Sequence, residues 1–139
     1  MTFSGLETGQ TVFTTAFPVT RADLVAYADA SGDQNPIHQD EAAAKAAGLP
    51  DVIAHGMYTM GLVSRAVREW AADAGIDATL TDFSARFAKP VVVPAAEGAE
   101  VVVEGKVRKV DAASVELAMT VTSAGEKVLA PVRATLAAK

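Results

Sequence analysis

The C-terminal half of the chain alternates. From Ser114 to Ser123, Val115, Leu117, Met119 and Val121 fall on one face, with Glu116, Thr120 and Thr122 on the other. From Glu126 to Ala137, Val128, Ala130, Val132, Ala134 and Leu136 share a face. A period of two marks antiparallel strands with one side buried. Strand-like runs at Ala78 to Val93 and Ala99 to Val110 precede them, and the Thr-, Val- and Phe-rich run Thr11 to Val19 predicts a first strand. The short connections at Asp111-Ala112-Ala113 and Ala124-Gly125 suit hairpins. Pro90, Pro94 and Pro131 belong at bulges, strand ends or edges, because proline cannot donate to a ladder.

Such a sheet needs a cover. The longest helical stretch runs from His55 to about Ala72. Its first half (Met57, Tyr58, Met60, Gly61, Leu62, Val63) is apolar on nearly all sides, which predicts enclosure by other elements, and Gly61 would admit a neighbouring backbone. Its second half turns amphipathic, with Arg65, Arg68 and Glu69 against Val67 and Trp70. A shorter helix begins at Thr20-Arg21-Ala22-Asp23, a capping pattern, presents Leu24, Val25 and Ala28 on one face, and stops at Gly32. Another runs from Glu41 to Ala47, capped by Asp40 and ended by Gly48 and Pro50. The expectation is an α+β fold of one domain, residues 1–139, in which an antiparallel sheet of about five strands curls around one central helix. One helix covers one face, so edge and apolar surface remain, and self-association or a related partner is expected.

Composition narrows the function classes. A formal net charge of -5 with scattered basic residues (Arg65, Arg68, Arg86, Lys89, Lys106, Arg108, Lys109) disfavours nucleic acid, which requires clustered cations. No apolar run approaches the ~20 residues that span a bilayer. The N-terminal residues Met1 to Gly5 lack the basic-then-apolar pattern of a secretory signal, so a cytoplasmic location is expected. The absence of cysteine excludes disulfides and thiolate chemistry.

Chemistry concentrates in two short segments. The chain has only two histidines, one in Ser31-Gly32-Asp33-Gln34-Asn35-Pro36-Ile37-His38 and one in Ile53-Ala54-His55-Gly56-Met57. Pro36 disfavours helix at Asn35, so Asp33 to His38 reads as a turned loop able to aim a carboxylate and an imidazole into one space. Those two groups are the side chains best suited to moving protons near neutral pH, and Asn35 between them offers a donor and an acceptor. The same residues also fit a purely structural loop in which Asp33 and Asn35 make turns and His38 fills space. A calcium loop is disfavoured because its glycine and distant glutamate are missing. A zinc site from Asp33, His38 and His55 has no recognised ligand spacing, so no metal or cofactor is expected. Gly56 opens the long helix, where first-turn amides have no intrahelical partner and face a positive dipole end. A ligand oxygen gaining negative charge would suit that position, although a tight helix start is the other reading. Ser64 either reaches a group in the site or bonds back to its own helix.

Taken together, Tyr27-Ala28-x-x-Ser31-Gly32-Asp33-x-Asn35-Pro36-Ile37-His38, followed by Ile53-Ala54-His55-Gly56-Met57 and Arg86-Phe87-x-Lys89-Pro90, resembles the signature of the MaoC-like, or (R)-specific, enoyl-thioester hydratases. The shape and closing strands look most like the short actinobacterial (3R)-hydroxyacyl-thioester dehydratase subunits. The resemblance spans essentially the whole chain and implies a hot-dog fold, dimers with sites at or near the interface, and enoyl or hydroxyacyl thioesters of CoA or acyl carrier protein as ligands. By position it implies Asp33 and His38 as the catalytic pair, Gly56 as oxyanion donor, and Asn35 and Ser64 as supporting residues, with His55 placed at the helix start rather than in catalysis. The implied reaction is reversible hydration of a trans-2-enoyl thioester to its (3R)-hydroxyacyl form. A hot-dog acyl-thioesterase, a non-catalytic hot-dog subunit, or a catalytic subunit requiring such a partner are the alternatives.

Overall fold

The alternating runs assemble into one antiparallel sheet. In the computed structural model, which describes residues 2–139, the order along the chain is β1 (Thr11–Val19), α1 (Arg21–Ser31), a 3-10 turn (Pro36–His38) and α2 (Glu41–Ala46). Then follow α3 (Gly56–Asp73), β2 (Ala78–Phe87), β3 (Ala99–Val110), β4 (Ser114–Ser123) and β5 (Glu126–Ala138). The five strands run in the spatial order β1-β3-β4-β5-β2, every neighbouring pair antiparallel. The helices therefore lie, in sequence, between the two edge strands.

The alternation on β4 survives in three dimensions. Val115, Leu117, Met119 and Val121 are all buried, in one cluster with Val101, Val103 and Val107 of β3 and with Leu62, Val63, Ala66 and Val67 of α3. Each such side chain contributes roughly 1.5–3 kcal/mol by leaving water, so this single face dominates the energetics. On β5 the pattern breaks in the middle. Leu129 is buried, Ala130 only half-buried and Pro131 exposed, so the face is not the uninterrupted Val128–Leu136 series. Both ladders skip there: β4 pairs Met119 with Val132 and then Val121 with Leu129, while β2 pairs Ala85 with Val132 and then Phe87 with Leu129. Pro131, lacking an N–H, sits in that bulge.

Three other expectations are corrected. The strand predicted over Ala78 to Val93 ends at Phe87. Beyond it the chain turns away, with Ala88 and Lys89 both donating to the Val128 carbonyl, and Val91–Val93 then pair with the segment that leads into α3. Val91 and Val93 are buried there, which explains their apolar character without a longer strand. The first half of α3 is not enclosed. Thr59, Leu62, Val63, Ala66, Val67 and Ala71 form its buried stripe, whereas Met57 is 61% exposed and Gly61 faces open space, with no described atom but those of its own helix within 4 Å of where a side chain would start. A single sheet wraps one side of a helix, so apolar residues on the other side stay open. For the same reason Val25 of α1 is exposed while Leu24 and Ala28 are buried.

Among the described residues no helix is long and apolar enough to cross a membrane.

Candidate active site

The first segment of the site is shaped by bonds between near neighbours. Helix α1 stops because Gly32 adopts the left-handed conformation (φ 82°), its N–H closing onto the Ala28 carbonyl at 2.9 Å. Asp33 then accepts from the Asn35 N–H through Oδ1 (3.2 Å), and Asn35 Oδ1 accepts from the Ile37 N–H (3.3 Å), capping the 3-10 turn that carries His38. The turn-making role weighed for Asp33 and Asn35 is thus present, and it aims His38 inward. The His38 side chain is buried and Asp33 exposed.

The second segment is held from a distance. Ile53 N–H donates to the Ile37 carbonyl (3.2 Å), Ala54 N–H to Val91 (2.9 Å), and Val93 N–H to Val52 (2.8 Å). Arg21 clamps the same region: its guanidinium meets Asp51 at 2.6 Å and donates through Nε to the Val93 carbonyl at 2.9 Å. One arginine at the start of α1 thereby ties the approach to α3 to the chain leaving β2.

These segments bring three side chains together. Asp33, His38 and His55 each place a carboxylate oxygen or ring nitrogen within 4.8 Å of the others. His38 Nδ1 lies 2.7 Å from the Ile53 carbonyl. A carbonyl only accepts, so this nitrogen carries a proton, and in the neutral ring Nε2 is then the acceptor. His55 is 2% exposed and stacks on His38 with ring centroids 3.9 Å apart and planes within 23°. Its Nε2 stands 3.1 Å from the Asp33 carbonyl and donates to it, while Tyr27 packs against the same ring at 4.7 Å. Both rings are thus already engaged within the protein, His38 through Nδ1 and His55 through Nε2.

Two hollows flank this group. One, of about 420 Å³, is lined by His38, Ile53, Gly56, Thr59, Val91 and Leu129 among others and is largely apolar. The other, about 380 Å³, is bordered by Tyr27, Ser31, Asp33, His55 and Met57. Gly56 and Phe87 border both. The Phe87 ring lies over Gly56 so closely that a Cβ there would come within 2.7 Å of it. A side chain at this position would therefore have to push the edge of the Phe87 ring aside, and the Gly56 amide, at the head of α3, has no intrahelical acceptor.

Of the residues singled out from sequence, Asp33, His38 and Gly56 border these hollows, while Asn35 borders neither and bears on the site through the turn it caps ahead of His38. Ser64 lies two turns further along α3, half-buried, and borders neither. Thr59, one turn after Gly56, and Phe87, at the end of β2, line the site without having been singled out for it. A hydroxyl three residues after Gly56 on the helix was the available signal for Thr59. Phe87 stands in the Arg86-Phe87-x-Lys89-Pro90 run that carries the resemblance, but that run assigns it no role. Tyr58 beside the site is no base: burial pushes its phenol above the ordinary value, Asp23 adds to the shift, and Arg65 opposes it.

A five-stranded antiparallel sheet wrapped on a central helix, with a carboxylate and an imidazole beside the helix start, defines a hot-dog domain. Residues 4–125 match the model of the MaoC like domain, and the chain belongs to that family. It is 45% identical over 83 residues to the 3-hydroxyacyl-thioester dehydratase X of Mycobacterium tuberculosis, a match covering 58% of this chain and 26% of that protein. A solved MaoC-like dehydratase superposes with a TM-score of 0.91 at 37% identity, covering 99% of this chain and 42% of that one. The (R)-hydratase from A. caviae involved in PHA biosynthesis superposes at 0.83 with 25% identity, covering 98% of this chain and 99% of that one. The matched stretch is thus about a quarter of the dehydratase's length, and the chain is under half the length of the MaoC-like dehydratase.

Proposed function

We propose that this domain adds water reversibly to trans-2-enoyl thioesters of coenzyme A or acyl carrier protein, giving (3R)-hydroxyacyl thioesters, or runs the reverse dehydration in fatty-acid elongation. The observation that carries the reading is the Asp33 carboxylate and a His38 ring nitrogen within 4.8 Å, close enough for one water to bridge, beside an apolar hollow headed by the Gly56 amide. The names of the dehydratase and hydratase relatives support it.

In this mechanism Asp33 and His38 hold the water between them, and His38 Nε2 accepts its proton. The oxygen bonds to the β-carbon while the double-bond electrons move toward the thioester carbonyl, whose oxygen becomes an enolate facing the Gly56 N–H. The catalytic pair then returns a proton to the α-carbon on the same face, so one water is added with no net change in the protein. The apolar hollow accepts the acyl chain. We place the reaction in the cytoplasm, where both carriers reside. A second hot-dog subunit, identical or related, is the expected partner, because Phe87 on edge strand β2 and Met57 on α3 are large apolar residues 59% and 61% exposed.

Crotonyl-CoA provides the test. Its conjugated-enoyl ultraviolet absorbance falls on hydration, and the wild type should remove it while Asp33→Asn and His38→Ala do not. Equal behaviour of all three would overturn the assignment, and release of free thiol instead would establish a thioesterase. Gel filtration of the assayed chain shows whether it acts as a homodimer or awaits another subunit.

A further inference from the structure

We infer that His55 is a positioning residue for the proposed hydration: it holds both members of the catalytic pair without touching substrate. The inference rests on that reading of Asp33 and His38. His55 makes two contacts at once. Its ring lies face to face with His38 (3.9 Å between centroids), and its Nε2–H donates to the main-chain carbonyl of Asp33 at 3.1 Å. The loop that carries Asp33 is anchored to the core at its far end, through Ile37 and His38, but around Asp33 itself it is exposed and held by short-range bonds, so His55 supplies the core anchor at Asp33. His38 is already tied at Nδ1 to the Ile53 carbonyl, but one hydrogen bond leaves a ring free to rotate about it. The stacked His55 closes that freedom and keeps Nε2 directed at the site. Tyr27 packs against His55 at 4.7 Å and in turn limits its movement.

Packing alone does not explain a histidine here. His55 Nδ1 is buried and has no hydrogen-bond partner among the described residues, an unfavourable state that a phenylalanine of similar size would avoid. What phenylalanine lacks is the donor that reaches Asp33. The side chain also supplies no cap to α3, although it occupies the cap position, so helix termination does not explain it either. The retained function is the pair of contacts to Asp33 and His38.

The test uses two space-filling variants in the intact protein. His55→Gln keeps a donor where Nε2 stood and loses the ring; His55→Phe keeps the ring and loses the donor. Supporting contacts of this kind typically change rates by about 10- to 100-fold. We expect kcat on crotonyl-CoA to fall by about that factor in His55→Phe, with KM changed less than about threefold, and His55→Gln to recover part of the loss. A second readout does not depend on activity. The chain has two histidines, so each variant leaves His38 alone in a long-range proton–nitrogen NMR spectrum. Wild-type His38 should show the Nδ1–H tautomer, and His55→Gln, lacking the stack, should shift toward a mixed population. Wild-type kcat in both folded variants, with an unchanged His38 tautomer, overturns the inference. If the wild type does not hydrate crotonyl-CoA, the functional reading fails, while the NMR comparison still decides whether His55 orders His38.

Discussion

The two segments that build the site are held by opposite means. Residues 31–38 are mostly exposed and shaped by hydrogen bonds between residues two to four apart, such as Asp33 to Asn35, Asn35 to Ile37 and Gly32 to Ala28. Residues 52–56 are largely buried and fixed by partners far along the chain: Val91, Val93, Ile37 and the Arg21–Asp51 clamp. The first arrangement costs little packing and can adjust; the second is embedded in the core and cannot. A proton-transfer site gains from the combination, because the reactive carboxylate stays accessible to water while His38, buried at the end of the loop and tied to Ile53, is held against the rigid helix start. Changes in the loop should therefore alter chemistry more than stability, and changes behind residues 52–56 should do the reverse.

The largest effect tests the loop side of that contrast. Asp33→Asn should lower kcat by about 10²–10⁴-fold, the usual worth of acid–base assistance, with a thermal midpoint close to wild type because Asp33 is exposed. A large loss of midpoint would show that the loop carries more of the fold than its exposure suggests. Next comes Gly56→Ala, whose new methyl would meet the Phe87 ring at 2.7 Å. Moving the ring and the helix start by a fraction of an ångström should reduce kcat/KM by about 10- to 100-fold. Adding Phe87→Ala should recover part of it, and no recovery would place the strain elsewhere.

On the buried side, Arg21→Ala should destabilise the protein by about 2 kcal/mol, since it removes a charged donor from Asp51 and from the Val93 carbonyl. Urea unfolding measures it, and stability equal to wild type would mean the clamp is redundant with the Ala54 and Val93 backbone bonds. The smallest change is Asn35→Ala, expected to cost about 1 kcal/mol or less through loss of the turn cap. Its signature is faster amide exchange at Ile37 while Ala54 and Val93 remain protected. Equal loosening at both segments would erase the distinction between them.

Legibility in the sequence followed the same division. The β1, β3 and β4 boundaries and the Gly32 stop could be read because strand alternation and helix caps depend on side chains a few residues apart. The Asp33–His38 loop could be read for the same reason, as Pro36 and two short polar side chains shape it locally. The end of β2 could not. Whether Pro90 ends a strand or interrupts one depends on the neighbour it would pair with, and here Val91–Val93 pair with residues 52–54 instead. The face of α3 carrying Met57 read as buried because hydropathy records what a side chain prefers, not which side the sheet covers.

The sequence by itself determined the alternating strands, the capped helices, and a carboxylate and an imidazole carried on one proline-bent loop. These follow from φ/ψ limits and side-chain periodicity, which act over a few residues. Only the tertiary structure decided that His55 would stack on His38 and hold Asp33, that Phe87 would cover Gly56, and that Arg21 would fasten the helix start. Each of those contacts joins residues 17 to 72 positions apart, and only the folding of the sheet around its central helix brings them within reach.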